Sequence, residues 1–371
     1  MKNNRIKSLE SLRALACVAI MISHAGIENV AEWAGAWGVS IFFVLMGFVS
    51  MLKKTEDINH LTIKDGFLNM KKKISKVYPV HIFTMFTMVI FSFTGTFRIP
   101  FIRIARQLVM NILLIQEWLP FVERSINRTS WYLCTAVLFY LLEPWLVTKI
   151  KKRSTKKACR NLLLLYAVQI IVGFIGYKLP RPVYAETAVL EHDIVFWFVY
   201  QFPLVRLIDV LIGCNLGKIY MDNKEVVHDK ATLYELISIA GSFLAGFLYQ
   251  YVAQNTSSDI AVLYVNYNKW FTYSIIFTPA SSALVYLFAY GQGSISRKLV
   301  NKVTMYIAGI SPYAFLIHTV VYSYLLAIGT RLFHFLLDFG TYKAIVNLTV
   351  GIGITMLLSS LCKTYMSKKI Y

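Results

Sequence analysis

Apolar runs of about twenty residues recur along the whole of this 371-residue chain. They leave few folds open to it. A bilayer core is about 30 Å thick, and a helix rising 1.5 Å per residue crosses it in about 20 residues. Hydrocarbon offers no partner to backbone N–H and C=O groups, so each run must satisfy them internally as a helix. Hydrophobic residues make up 57% of the chain and the mean hydropathy is +0.56, too apolar for a soluble domain of this length.

The net charge of +19 superficially suggests nucleic-acid binding, but its distribution argues otherwise. Of the 38 Lys and Arg, 26 fall in the stretches 1–8, 53–76, 149–160, 218–230, 291–302 and 363–371. Basic residues gathered between apolar runs mark cytoplasmic loops. Placing these stretches on one side predicts ten spans, near 9–26, 31–52, 77–97, 131–149, 161–178, 196–219, 233–253, 270–290, 303–329 and 341–362. Both termini are then cytoplasmic, and residues 1–371 form a single all-α polytopic membrane bundle. Lys2, Arg5 and Lys7 ahead of the first run resemble a signal peptide. Arg13 interrupts that run and no small-residue cleavage site follows, so a retained first span is expected. Segment 107–122 would spoil the parity if it crossed, and is expected to be re-entrant or interfacial on the outer side. The five cysteines form no zinc or disulfide spacing, and no metal site is expected.

Arg13 and His24 lie eleven positions apart in the first span. At about 100° per residue they share a helix face, separated by about 16 Å along the axis. Ionisable residues inside a span are costly, and two on one stripe point to a polar site within the bundle. A neutral imidazole can take a hydroxyl proton, which makes His24 a candidate general base. Its bland alternative is a bond to a neighbouring helix; Arg13 alone could snorkel to lipid phosphate.

His318, seven residues after Ser311, is a second intramembrane histidine that could line the same site, although a structural role is the stronger reading. Arg206 and Asp209, three apart, are expected to pair as a structural ion pair. Lys71, Lys72, Lys73 and Lys76 form either a stop-transfer flank or an anion clamp. Glu143, beside Pro144, is expected to face water. Glu191, His192 and Asp193 read as a solvated loop, and the sequons at Asn127 and Asn255 carry little information.

In order along the chain, these segments resemble the acyltransferase-3 family of integral membrane acyltransferases. Arg13 and His24 match its Arg-x10-His signature, with Glu10 three residues before the Arg. GVSIFFVLMGF at 38–48, containing Phe42 and Phe43, resembles the family's GVDLFFVLSGF, with Ser40 and Met46 as departures. KKKISKVYP at 71–79 is similar to its RxxRIxP segment. NILLIQEW, then Trp131-Tyr132-Leu133 and FYLLEP, are similar to LLLLQSW and WSLSxExxFYLLxP. There Ala136 or Val137 stands where the family has an acidic residue. FPLVRLIDVLIGCNLG at 202–217 and ISPYAFLIH at 310–318 complete the match.

The resemblance implies O-acetylation: an acyl group moves from cytoplasmic acetyl-CoA, or another acyl-CoA, to a carbohydrate hydroxyl. A cell-envelope polysaccharide or its lipid-linked precursor is the implied acceptor, and a bacterial cytoplasmic membrane the implied location. His24 would be the base. Arg13 would bind a CoA phosphate or the thioester oxygen, and the four lysines would attract the donor. Glu10, Phe42, Phe43, Trp131, Arg206, Asp209, Ser311 and His318 would support or line the site. No nucleic-acid partner is expected. The competing reading is a transporter or flippase of a glycan or lipid-linked sugar, using Arg13 and His24 for binding or proton coupling.

Overall fold

The computed structural model describes residues 6–26, 32–53, 61–93, 101–119, 126–179, 196–254, 269–332 and 344–369. All regular elements among them are helical. They are α1 (Lys7–Ser23), α2 (Glu32–Met51), α3 (Ile63–Ile74), α4 (Tyr78–Phe93), α5 (Phe101–Leu113), α6 (Tyr132–Lys151) and α7 (Thr155–Lys178). There follow α8 (Pro203–Asn223), α9 (Ala231–Gln254), α10 (Lys269–Tyr290), α11 (Ser294–Lys298), α12 (Lys302–Leu332) and α13 (Ile352–Lys369). A 3-10 turn at Arg128–Trp131 leads into α6, and π-helical segments precede α8 (Trp197–Gln201) and α13 (Asn347–Gly351).

Among the described residues, seven helical stretches are long and apolar enough to cross a membrane, and eight if α3 with α4 counts as one span bent by 60°. The chain is thus an all-helical multi-pass membrane bundle. The predicted first span corresponds to α1, whose 17 residues fall just short of spanning length. The basic stretch 53–76, expected as a loop, contains α3. This helix exposes Ile63, Phe67 and Leu68 beside its lysines, as a helix lying in the membrane interface does.

Segment 107–122 contains only the end of α5, a 13-residue helix too short to cross. Leu114 closes it in the left-handed region (φ 57°), where Ile115 N–H bonds the Met110 carbonyl at 3.0 Å. The end of α5 lies beside the start of α4: the Tyr78 hydroxyl bonds the Ile112 carbonyl (2.9 Å), and His81 Nε2 lies 2.9 Å from the Asn111 carbonyl. Asn127, further along, bonds Thr84, one turn on from His81. The end of α5 and the Asn127 turn thus both lie against α4.

The interior is built around α2 and α8, which cross at Gly47 and Gly213. A Cβ on Gly47 would collide with the Val210 carbonyl, and one on Gly213 with the Val44 carbonyl. Small residues of this kind let helix backbones approach closely in membranes. Beside them, Arg206 and Asp209 of α8 are wholly buried and paired at 2.6 Å, as the three-residue spacing predicts. Asp209 also accepts bonds from Gln169 of α7 and Thr278 of α10. Arg206 Nε donates to the Tyr200 carbonyl, and its guanidinium lies over the rings of Tyr200, Phe43 and Trp131. A buried ion pair is tolerable only when such extra bonds satisfy it. Here it joins α7, α8 and α10.

Candidate functional site

The first helix ends where the site begins. Ser23 Oγ donates to the Ile20 carbonyl, and Gly26 adopts the positive φ (92°) that commonly follows a helix C-terminus. The open carbonyls of this end take side chains from elsewhere: Tyr322 of α12 bonds Met21, and Asn347 bonds Ala25. His24 is therefore held from three elements. It sits at the C-cap of α1, at the far end of the helix from Arg13.

His24 and His318 are brought together. His24 Nδ1 lies 3.2 Å from His318 Nε2, and the ring centroids are 5.0 Å apart. His24 Nδ1 also lies 2.9 Å from the Ile20 carbonyl oxygen, and His318 Nδ1 lies 2.9 Å from that of Ala314. A carbonyl only accepts, so both Nδ1 atoms carry the proton. His318 Nε2 is then a lone pair facing the shared His24 Nδ1–H. His24 Nε2 is likewise left as a bare acceptor, and nothing among the described residues bonds to it. This is the tautomer a general base requires.

Arg13 lies two-thirds of the way back along α1. Its Nη1 pairs with Glu10 Oε2 at 2.9 Å, and both side chains remain partly exposed. Tyr132 stacks edge-on to Phe315 at 5.2 Å, Phe315 lies 6.2 Å from His318, and Phe42 packs on Phe315 at 6.1 Å. An aromatic row from Tyr132 and Phe42 through Phe315 thus leads to the histidine pair.

A second group of charges lies beside Tyr140, about two turns along α6 from Tyr132. Glu143 is buried, which corrects its expected exposure to water. Its carboxylate accepts from Lys73, from Lys53 and from Asn69 Nδ2 (2.8 Å), and the Lys73 ammonium lies 4.4 Å from the Tyr140 ring centre. Pro144 explains the docking. It has no N–H for the Tyr140 carbonyl four residues back, and Asn69 of α3 fills that vacancy at 2.7 Å. Of the four candidate clamp lysines, Lys73 turns inward, while Lys71, Lys72 and Lys76 remain exposed.

The remaining candidates separate. Phe43 and Trp131 pack on Arg206, with Asp209 beyond them, in the buried core. Ser311 is two helical turns from His318 and donates to the Ala308 carbonyl, the one Pro312 leaves open. It makes no bond to either histidine. Asn127 is buried and fully bonded, so its sequon is inaccessible. Glu191, His192, Asp193 and Asn255 lie outside the described residues. Sequence reasoning did not single out Tyr132, Tyr140 or Arg128 individually. Tyr140 carried one usable signal: it stands four residues before a proline inside a helix.

No group of three or more His, Cys, Asp or Glu among the described residues is arranged to hold a metal ion. The sequence model of the acyltransferase-3 family, described as an acyltransferase domain, matches residues 6–364. No curated protein and no solved structure matches the chain.

Proposed function

Because the chain belongs to the acyltransferase-3 family, we propose that it is a membrane O-acyltransferase moving an acyl group, acetyl in the first instance, from acyl-CoA to a carbohydrate hydroxyl. The observation that carries the reading is the placement of His24 Nδ1 against the Ile20 carbonyl and His318 Nε2, which in a neutral imidazole leaves Nε2 as the free acceptor. The acceptor hydroxyl gives its proton to Nε2 as its oxygen attacks the thioester carbonyl. The C–S bond breaks, and the CoA thiolate leaves with the proton held by the imidazolium. His318 touches neither reactant in this scheme. It positions His24.

The two poles of the site suit the two ends of the donor. Acyl-CoA carries phosphates at one end of a long flexible arm and its thioester at the other. Lys73 offers a cation beside Tyr140 and Arg13 another on α1, and the aromatic row through Tyr132 and Phe315 gives the arm an apolar path to His24. Lys71, Lys72 and Lys76 raise the local concentration of an anionic donor at the surface. Donor entry from the cytoplasm and an acceptor in the cell envelope of a bacterial cytoplasmic membrane complete the proposal.

Radiolabelled acetyl-CoA supplied to the purified protein with envelope glycan tests it. Label is expected to pass to the glycan, and His24→Ala to slow transfer by about 10²–10⁴-fold, the usual contribution of a general base. Equal transfer by His24→Ala would remove the base assignment. A wild-type protein that does not bind acetyl-CoA would favour glycan transport instead.

A further inference from the structure

Arg128 is an exposed guanidinium on a turn that is otherwise locked down. On one side of it, Asn127 donates to the Leu316 carbonyl (2.7 Å) and to Thr84 (3.0 Å). On the other, the Thr129 hydroxyl bonds Asn127 Oδ1 (3.1 Å) and reaches Thr319 at 3.4 Å. Thr319 also donates to Asn127 Oδ1 at 3.0 Å. Leu316 and Thr319 bracket His318 on α12, so the turn is bolted within one helical turn of the histidine pair. Among the described residues Arg128 has no carboxylate partner, unlike Arg13 with Glu10 or Arg206 with Asp209.

We propose that Arg128 is a specificity residue for the acceptor, and that the hydroxyl presented to His24 belongs to an anionic carbohydrate whose carboxylate or phosphate the guanidinium grips. This rests on the acyltransferase reading and narrows its acceptor class. An Arg fork matches a carboxylate or phosphate with two parallel bonds. Such a grip fixes the sugar ring beside His24 Nε2. The anchored backbone at Asn127 and Thr129 holds the Arg Cα in place, so the guanidinium is available to a ligand at the His24 opening without ordering a loop. The donor phosphates are not the target in this reading, because the inward-turned lysine that would take them, Lys73, lies beside Tyr140, about two turns along α6 from Tyr132.

Transfer from radiolabelled acetyl-CoA to three acceptors distinguishes the sources of the anion: a hexuronic-acid oligosaccharide, its carboxyl-reduced neutral counterpart, and a polyprenyl-diphosphate-linked sugar. The wild type is expected to prefer one of the two anionic acceptors over the neutral one. Arg128→Gln should reduce that preference, as a ratio of kcat/KM values, by about tenfold or more, the usual size of a charge-assisted bond. The loss should appear mainly in acceptor KM, and Arg128→Lys should retain part of the preference. A ratio unchanged in Arg128→Gln, or a wild type that prefers the neutral acceptor, overturns the proposal while leaving His24-dependent transfer intact. No transfer to any acceptor, with no binding of acetyl-CoA, overturns the acyltransferase reading and this proposal with it.

Discussion

At the scale of residues, the chemistry turns on which nitrogen of His24 holds a proton. The Ile20 carbonyl holds that proton on Nδ1, and His318 orients the ring by offering a lone pair to the same N–H. His318→Ala removes that acceptor while leaving the bond to Ile20, so the ring loses orientation but keeps its tautomer. The expected result is a fall in kcat of about ten- to a hundredfold, from the loss of roughly one to two hydrogen bonds' worth of ordering. KM for acetyl-CoA should change little, and His318→Gln, whose side-chain oxygen also accepts, should recover part of the rate. An equal rate in His318→Ala would reduce the pair to ordinary packing. The helix that carries Arg13 and ends at His24 was legible from the apolar run. The meeting of His24 with His318 was not, because the two are 294 residues apart and no local pattern encodes that contact. Glu143 was misjudged for a related reason. Its position near a helix end says nothing of an amphipathic helix from elsewhere lying across it.

At the scale of elements, the tightest joint is the crossing of α2 and α8. Gly213→Ala sets a methyl against the Val44 carbonyl and the Phe48 amide, both backbone groups unable to move aside. The expected cost is about 1–3 kcal/mol, read as a lower unfolding temperature in detergent. Gly353→Ala in α13 provides the comparison. A Cβ there meets nothing within 4 Å, and alanine is the better helix former, so its unfolding temperature should not fall. Equal behaviour of the two variants would mean the crossing tolerates separation. Helix positions were largely legible, because a run of apolar residues in lipid has one way to satisfy its backbone. The elements that escaped were those not made for crossing. The helix α3 hid in a basic stretch that reads as a loop. The residue that ends α5, Leu114, is one whose left-handed conformation a sequence does not advertise.

At the scale of the whole molecule, the basic stretches are expected on one face of the membrane, and the bundle agrees in one respect. The Lys151 ammonium bonds the Lys53 carbonyl, so the ends of α2 and α6 meet. Cys159 near the start of α7 is exposed, whereas Cys17, Cys134 and Cys214 are buried. A membrane-impermeant maleimide should therefore label Cys159 in inverted vesicles and leave it untouched in intact cells. Labelling in intact cells would reverse the orientation. The carbonyl that Pro144 leaves open has a bearing on biosynthesis. Asn69, which fills it, leaves the ribosome 71 residues ahead of Tyr140. At roughly 5–20 residues per second, α3 exists for about 4–14 seconds before its seat on α6 has been made. Its apolar side, Ile63, Phe67 and Leu68, gives the nascent helix somewhere to wait, afloat on the lipid surface until the later helix arrives.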